Sequence, residues 1–171
     1  MLIAGHQATC LYSLQTCPVA KLGYGNCSWT GSYNDIKGHL KEKHLEVCCE
    51  YVEGGIQLLY RLTDHMRFFG FIFAHNEIFF PTFLENEHTF NVVVRYIGPA
   101  KNAAKFKYKV EFVNTDNTEG VTVMHLTRSA DENLRDIYRS GNCGKLHYDV
   151  VFRLRDVAGN EKFKLEIIES R

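Results

Sequence analysis

The stretch CPVAKLGYGNCSWTGSYNDIKGHLKEKH, from Cys17 to His44, contains two cysteines and two histidines: Cys17, Cys27, His39 and His44. Nine, eleven and four residues separate them in turn. The last two gaps are typical of a Cys2His2 zinc site, in which a hairpin carries two thiolates and a following helix carries two imidazoles. The first gap exceeds the usual two to about four residues. We therefore expect a longer hairpin that turns back at its two internal glycines.

A helix is predicted to start at Ser32-Tyr33-Asn34-Asp35, after the second cysteine. Ser32 can cap this helix, and Asp35 would lie in its first turn, where the helix dipole favours negative charge. Four protein ligands leave no open position for a reacting water, so the predicted zinc is structural. It would hold together a unit too small to fold on its own hydrophobic core. The alternative is that the four residues are two buried cysteines and two surface histidines.

The composition limits the function. The 171 residues suffice for one ordinary domain and a small module, and a hydrophobic content of 45% can form a core. Lysines and arginines number 20, as do aspartates and glutamates, so no overall charge attracts nucleic acid or an anionic membrane. No apolar run approaches the roughly 18 residues of a membrane span.

Cysteine usage indicates a reducing compartment. The apolar start at residues 2–4 is much shorter than the apolar core of a signal peptide. We therefore expect a cytoplasmic or nuclear protein in which Cys48, Cys49 and Cys143 are free thiols.

The first sixteen residues contain half of another metal site. His6 and Cys10 form a His-x3-Cys pair, and no residue upstream of them can bind zinc. Either the chain is a fragment of something longer or this first site has been lost. The alternative is an unrelated histidine and cysteine.

After His44 the chain consists of short apolar segments separated by turn residues. The predicted strands are 45–52, 56–63, 68–74, 77–84, 89–97, 105–113, 121–126, 145–155 and 161–168. Two of them alternate between apolar and polar residues, as in strands with one wet face. Their apolar residues are Phe106, Tyr108, Val110 and Phe112 in the first, and Leu146, Tyr148, Val150, Phe152 and Leu154 in the second.

One later helix is predicted over residues 131–139, with Ser129 and Glu132 as a capping box and Gly141 as the stop. The apolar runs around Phe71 and Phe80 predict central strands, and the proline after Phe80 predicts a bend or an end there. About eight strands with one short helix and no alternating strand–helix rhythm predict a mostly β protein, an antiparallel β-sandwich. We expect the zinc module to pack directly against it.

Several motifs resemble those of the seven-in-absentia (Siah/Sina) E3 ubiquitin ligases, in which two adjacent zinc fingers precede a TRAF-like β-sandwich. The zinc-region motifs are His6-x3-Cys10-x6-Cys17, Cys27-Ser28-Trp29-x-Gly31-Ser32 and His39-Leu40-x3-His44. The sandwich motifs, in the family's order, are Phe69-Gly70-Phe71, Val94-x2-Ile97-Gly98, Lys105-Phe106-x-Tyr108-x-Val110-Glu111, and Val121-Thr122 followed by Arg128-Ser129.

The resemblance implies three parts. Residues 1–16 would be the remnant of a first zinc finger, with His6 and Cys10 as its surviving half. Residues 17–44 would be the second, Siah-type finger, a ββα module whose metal ligands are Cys17, Cys27, His39 and His44. Residues 45–171 would be the TRAF-like substrate-binding sandwich.

The implied function is recognition of substrates or adaptors, with homodimerisation, in a Siah-type E3 ubiquitin ligase that directs its partners to proteasomal degradation. The family's RING recruits the ubiquitin-charged E2, and no RING precedes the finger in this sequence. We therefore expect no ubiquitin transfer and no catalytic residue in this chain by itself. The alternative is a RING-less adaptor, or a competitor that dimerises with full-length relatives.

In the family a short extended peptide adds to a sheet edge of the sandwich, which is ordinary β-augmentation. The matching segments are about residues 47–51 and 56–64. Leu58, Tyr60 and Leu62 would line one face of such a strand. The alternative interpretation, that these three are ordinary core residues, fits the sequence at least equally well.

The sequence offers little support for two other classes of function, a nucleic-acid-binding finger and an enzyme. The finger segment has four lysines against Asp35 and Glu42, only a slight positive excess for a nucleic-acid-binding finger. For an enzyme, the sequence offers Cys143-x3-His147, or Cys48 or Cys49 near His44, as nucleophile and base. We expect neither class.

Overall fold

The computed structural model describes residues 14–52, 54–61, 66–68, 70–85 and 88–170. The predicted half-site residues His6 and Cys10 lie outside these ranges, as does Leu62. The side chains of Leu58 and Tyr60 also lie outside the described part. Within the ranges given, no helix is both long enough and apolar enough to cross a membrane.

The described residues form strands, α-helices and two 3-10 helices. The strands are β1 (Gln15–Thr16), β2 (Thr30–Gly31), β3 (Cys48–Glu50), β4 (Ile56–Arg61), β5 (Met66–Phe68), β6 (Phe71–Ala74), β7 (Glu77–Glu85), β8 (Thr89–Ile97), β9 (Phe106–Val113), β10 (Gly120–Leu126), β11 (Arg128–Ser129), β12 (Gly144–His147) and β13 (Asn160–Glu169). The α-helices are α1 (Pro18–Lys21), α2 (Tyr33–Lys43), α3 (Leu134–Ser140) and α4 (Tyr148–Arg153), and the 3-10 helices span Leu45–Val47 and Ala100–Lys105.

Residues 15–44 form a small unit, here called the metal module. β1 and β2 pair in antiparallel fashion. Pro18 begins α1, where its fixed φ suits the first helical position, and the chain turns at Gly23 with φ +80°. The longer hairpin that the sequence predicted is present, and a helical turn lies in the long gap between the two cysteines. α2 begins after Ser32, as predicted.

Four strands form the first sheet, in the order β10–β9–β13–β4, and every neighbouring pair is antiparallel. The predicted alternation of β9 is confirmed, because Phe106, Tyr108, Val110 and Phe112 are all buried. The other residues of β9 are exposed or half-buried. One face of this sheet is therefore wet.

The second sheet is centred on the antiparallel pair β7 and β8. On the side away from β8, β7 pairs with β5 and β6, and β3 runs parallel to β6. On the side away from β7, β8 pairs with β12 in antiparallel and with β11 in parallel orientation. These two short parallel pairings are departures from an otherwise antiparallel architecture.

The main hydrophobic core lies between the two sheets. Phe83 of β7 contacts Phe163 of β13, with ring centroids 5.1 Å apart. Phe90 of β8 contacts Phe112 of β9 edge to face, with centroids 5.2 Å apart. The predicted β-sandwich is confirmed by this arrangement.

The metal module covers the outer face of the second sheet, the face turned away from the main core. Apolar residues of the module and of this face form one buried cluster, consisting of Cys17, Val19, Ile36, Leu40, Phe71, Ile78, Phe80 and Ile97. Both faces of the sheet are thus covered, which explains why the sequence runs around Phe71 and Phe80 are nearly continuously apolar. The prediction that the module packs directly on the sandwich is confirmed.

The predicted strand 145–155 is wrong beyond residue 147. β12 ends at His147, which caps α4 by accepting a hydrogen bond on Nδ1 from the Asp149 N–H at 3.3 Å. Val151 and Leu154 are buried, whereas Val150 and Phe152 are exposed. Burial therefore follows the helical spacing of three residues, and the alternation by two is incidental. The prediction of one short helix in the sandwich is wrong for the same reason, because α4 is a second one.

The predicted helix 131–139 begins later than expected. Asn133 is its N-cap and accepts a hydrogen bond from the Arg135 N–H at 2.9 Å. Glu132 instead folds back onto the Ser129 N–H at 2.9 Å, in a turn that precedes the helix. The predicted stop at Gly141 is confirmed by its left-handed φ of +71°.

Pro81 neither bends nor ends β7, contrary to the prediction. Its lack of an N–H is tolerated because it lies between the segment paired with β6, residues 77–79, and the segment paired with β5, residues 82–84. The predicted strand 68–74 is divided between β5 and β6, and Gly70 between them has φ +112°. The predicted strand 45–52 is a 3-10 turn followed by the short β3.

Candidate functional site

Four side chains from different parts of the metal module meet at one point. Cys17, Cys27, His39 and His44 each offer one ligand atom, and these atoms all lie within 4.8 Å of one another. The Cys17 sulfur is 3.2 Å from His39 Nε2 and 3.5 Å from His44 Nε2. The Cys27 sulfur is 3.5 Å from His39 Nε2. The structure thus brings together all four residues that the spacing predicted.

The geometry suits a tetrahedral metal ion. Bonds of about 2.3 Å to sulfur and about 2.0 Å to nitrogen, at tetrahedral angles, hold a sulfur and a nitrogen about 3.5 Å apart. The observed separations of 3.2 and 3.5 Å are close to that value. Two thiolates and two imidazoles are a soft and borderline donor set of the kind that binds zinc. Because the chain supplies all four ligands, such an ion would have no open position for catalysis.

The surroundings of the cluster hold its side chains in place. Cys17 is fully buried in the cluster beneath the module, and burial raises the pKa of its thiol. Burial lowers the pKa of His39, which favours the neutral ring that a metal ligand must have. The indole of Trp29 stacks on the His39 ring, with centroids 4.4 Å apart and planes 7° apart. The ring of His39 is therefore fixed on one side by Trp29.

Polar contacts fasten the metal module to the sandwich. Glu77, at the start of β7, accepts hydrogen bonds on Oε2 from the hydroxyls of Tyr33 at 2.6 Å and Tyr96 at 2.9 Å. Burial, together with the bond to Glu77, raises the pKa of Tyr33. Lys21 of α1 forms an ion pair of 2.5 Å with Asp131 before α3. The module is thus held by two sets of polar contacts as well as by its apolar face.

The predicted peptide-binding residues belong to an edge strand of the sandwich. β4 is the end strand of the first sheet, and within it Leu58 lies opposite Phe163 and Tyr60 opposite Glu161 of β13. Leu62 lies beyond the described part of β4. Leu58 and Tyr60 therefore lie on an edge strand, as predicted. That the three side chains bind a peptide stays a prediction.

A cavity lies at the end of this edge. β13 continues for residues 166–169 past its pairing with β4, and on that side the backbone of Ile167 is bonded by two side chains. The Tyr51 hydroxyl accepts from the Ile167 N–H and donates to its carbonyl, both at 3.2 Å. His75 Nε2 donates to the same carbonyl at 2.8 Å. Beside them is a cavity of about 560 Å³, which Gly54, Glu166, Ile168 and Glu169 also line.

The described contacts of Cys143 and Cys48 do not include the imidazole ring of a proposed base. Cys143 is buried against Val93 and Ile137, and burial raises the pKa of its thiol. His147 is exposed and caps α4. Cys48 donates through its sulfur to the His44 carbonyl at 3.1 Å, and burial raises its pKa to about 11. These thiols are therefore protonated at neutral pH, which disfavours their use as nucleophiles.

Sequence reasoning missed three residues that shape these sites: Trp29, Tyr51 and His75. Trp29 follows the second cysteine closely, and a lone tryptophan beside a metal motif could have been suspected of packing on a ligand. His75 and Asn76 form the two-residue turn between β6 and β7 with φ of +50° and +62°. A His-Asn pair is a weak turn signal compared with Asn-Gly, so no pattern marked this position.

Comparison with known families concerns the sandwich. The family model described as the Sina, TRAF-like domain matches residues 66–167. The matched range includes most of both sheets, α3 and α4, and it lies after the metal cluster in the chain. No curated protein matches the chain.

Proposed function

The chain belongs to the family of the Sina TRAF-like domain, and we propose that it recognises substrates or adaptors of a Siah-type E3 ubiquitin ligase for degradation. Domains of this family serve protein interaction and dimerisation. The observation that carries the proposal is the cavity beside the free side of β13. There an extended peptide would lie in line with β4.

The occupant proposed for this cavity is a peptide in extended form. Residues 166–169 already have β conformation, because they pair with β9 on their other side. Tyr51 and His75 make the hydrogen bonds to Ile167 that another strand would make. An entering peptide would bond to the remaining backbone groups of this segment or displace these two side chains.

The lining of the cavity favours a particular peptide chemistry. Two carboxylates, Glu166 and Glu169, line it, and no lysine or arginine does among the described residues. Ile168 supplies apolar surface, whereas the Ile167 side chain is buried in the main core. We therefore expect a peptide that combines an apolar side chain with a basic one.

A binding experiment tests the peptide site. Ile168→Arg would fill the cavity with a long cationic side chain, while Val157→Arg makes the same kind of change at a fully exposed turn. Partners recovered with the wild-type chain should be lost with the first variant and kept with the second. Equal recovery with both variants would reject the cavity as the peptide site.

The link to ubiquitin transfer needs a separate experiment. The chain would be co-expressed with a RING-bearing Siah-type ligase and a partner recovered above. Faster degradation of that partner identifies the chain as a recruiting subunit, and slower degradation identifies it as a competitor of the ligase. Unchanged degradation at every expression level would contradict both forms of the proposal.

The proposed metal is structural zinc held by Cys17, Cys27, His39 and His44. The donor set and separations described above support this assignment. Metal analysis of the purified chain is expected to find about one zinc per chain. His39→Ala should lose the metal, and His147→Ala, at an exposed position outside the cluster, should keep it. A well-folded chain that purifies without metal would overturn the assignment.

A further inference from the structure

Arg95 is a buried cation on the outer face of the second sheet. Its neighbours Val94 and Tyr96 in β8 turn into the main core, so Arg95 points to the opposite face. Only 6% of its surface is exposed. On that face it lies between Val93, which packs against α3, and Ile97, which packs against the metal module.

The described contacts of Arg95 leave its charge uncompensated. One amino group, Nη2, donates to the Thr82 hydroxyl at the long distance of 3.4 Å. The guanidinium lies over the Phe80 ring, 5.2 Å from the centroid. Its Nε is buried and has no hydrogen-bond partner, and no carboxylate of the described residues pairs with this side chain. A buried charge of this kind is strongly disfavoured unless it is paired.

The described groups around Arg95 include two tyrosines and a second arginine that is already paired. Tyr24 and Tyr138 lie near enough for its charge to lower the pKa of each hydroxyl, although burial raises both pKa values overall. The Tyr138 hydroxyl is buried and, like Arg95 Nε, has no hydrogen-bond partner. The residue opposite Arg95 on β11 is another arginine, Arg128, whose charge is paired with Glu132. Arg95 Nε and the Tyr138 hydroxyl are thus two buried donors without a partner on the same side of the second sheet.

We propose that Arg95 and Tyr138 bind a small oxyanion between the metal module and α3. A carboxylate or a phosphate accepts from a guanidinium Nε–H and from a tyrosine hydroxyl, and it would neutralise the buried charge. The site is separate from the cavity beside β13 and from the metal ligands. Its occupant would hold the metal module and α3 against the same sheet, because Arg95 lies between their two contact areas.

The test measures thermal unfolding of the metal-loaded chain as phosphate or acetate replaces chloride at constant ionic strength. Both anions carry the proposed chemistry, and the two series distinguish a phosphate site from a carboxylate site. The wild-type melting temperature should rise and then saturate in at least one series. Arg95→Gln and Tyr138→Phe should lose or weaken this rise, whereas Arg139→Gln, at an exposed position of α3, should keep it.

Tyr138→Phe removes one oxygen, so it keeps the result interpretable even if Arg95→Gln does not fold. A wild-type chain without a saturable rise in either series would overturn the proposal. So would a rise that is equal in the wild type and in Tyr138→Phe, because the anion would then act elsewhere or nonspecifically.

Discussion

Trp29 supports the four-residue cluster of Cys17, Cys27, His39 and His44 through the ring of His39, although it is not one of the four. Its indole can stack there because Gly31, two residues later, leaves room for it. A Cβ added at Gly31 would overlap with the indole ring. The conformation of one ligand therefore depends on a glycine in β2.

Gly31→Ala is expected to destabilise the metal module by about 1–3 kcal/mol, because the added methyl group must displace the indole from His39. Gly38→Ala is the matched control in the same module. Its Cβ would meet nothing within 4 Å, and alanine favours a helix interior over glycine by roughly 1 kcal/mol. Urea unfolding followed by the fluorescence of Trp29 measures both. Equal stability of the two variants would show that stacking is unimportant.

At the scale of elements, helices α2 and α3 begin with different caps. The Asn133 side chain accepts a hydrogen bond from the backbone of α3, whereas the Ser32 hydroxyl donates to the Asp35 carboxylate at 2.6 Å and makes no cap bond to the backbone of α2. Substitution of a bonded cap by alanine costs typically about 1 kcal/mol. The helices should therefore respond differently to loss of the cap residue.

Asn133→Ala is expected to lower the free energy of unfolding by about 1 kcal/mol, and Ser32→Ala by less. Chemical denaturation of the metal-loaded chain compares the two. A larger effect of Ser32→Ala would mean that its bond to Asp35 orders α2 more than a backbone cap does.

The sequence predicted secondary structure correctly where the apolar residues fit a single periodicity. It predicted wrongly where they fit both the helical and the strand periodicity. β9 alternates strictly between apolar and charged residues, so only a strand with one wet face fits it. Residues 145–155 contain apolar residues at both helical and strand spacings, and the packing of Val151 and Leu154 into the core selected the helix. Pro81 was misjudged because its effect depends on which strands lie beside it.

At the scale of the whole molecule, the metal module and the second sheet share one buried cluster. Cys17 is at once a predicted ligand and a member of that cluster, next to Phe71 and Phe80. Loss of the metal should therefore affect the sandwich as well as the module.

Chelation is expected to lower the melting temperature of the entire chain and to change the fluorescence of Trp29, its only tryptophan. Structural zinc contributes about 10 kcal/mol or more to the folding of small finger peptides, so the effect should be large. His39→Ala should reproduce it, with His147→Ala as the control. An unchanged melting temperature after complete removal of the metal would contradict the coupling of module and sheet.

Dimerisation is expected at the exposed face of β10, the other end strand of the first sheet. Met124 and Leu126, two residues apart on that face, are 54% and 40% exposed and together form an apolar patch. Light scattering should find a dimer for the wild type and a monomer for Met124→Glu with Leu126→Glu. Val150→Glu on α4, also at an exposed apolar position, should remain dimeric. A monomeric wild type, or a dimeric double variant, would contradict this interface.

The sequence by itself determined a four-ligand cluster, through the spacing of Cys17, Cys27, His39 and His44. It also determined a sheet with one solvent-exposed face, through the alternation of β9. Both features depend on local geometry. Tertiary structure alone decided that the module covers the second sheet, that Tyr51 and His75 meet at Ile167, and that Arg95 is buried. These contacts join residues far apart in the chain, and they follow from how two sheets and a module bury apolar surface together. No local periodicity encodes such contacts, since each side chain involved is compatible with several environments.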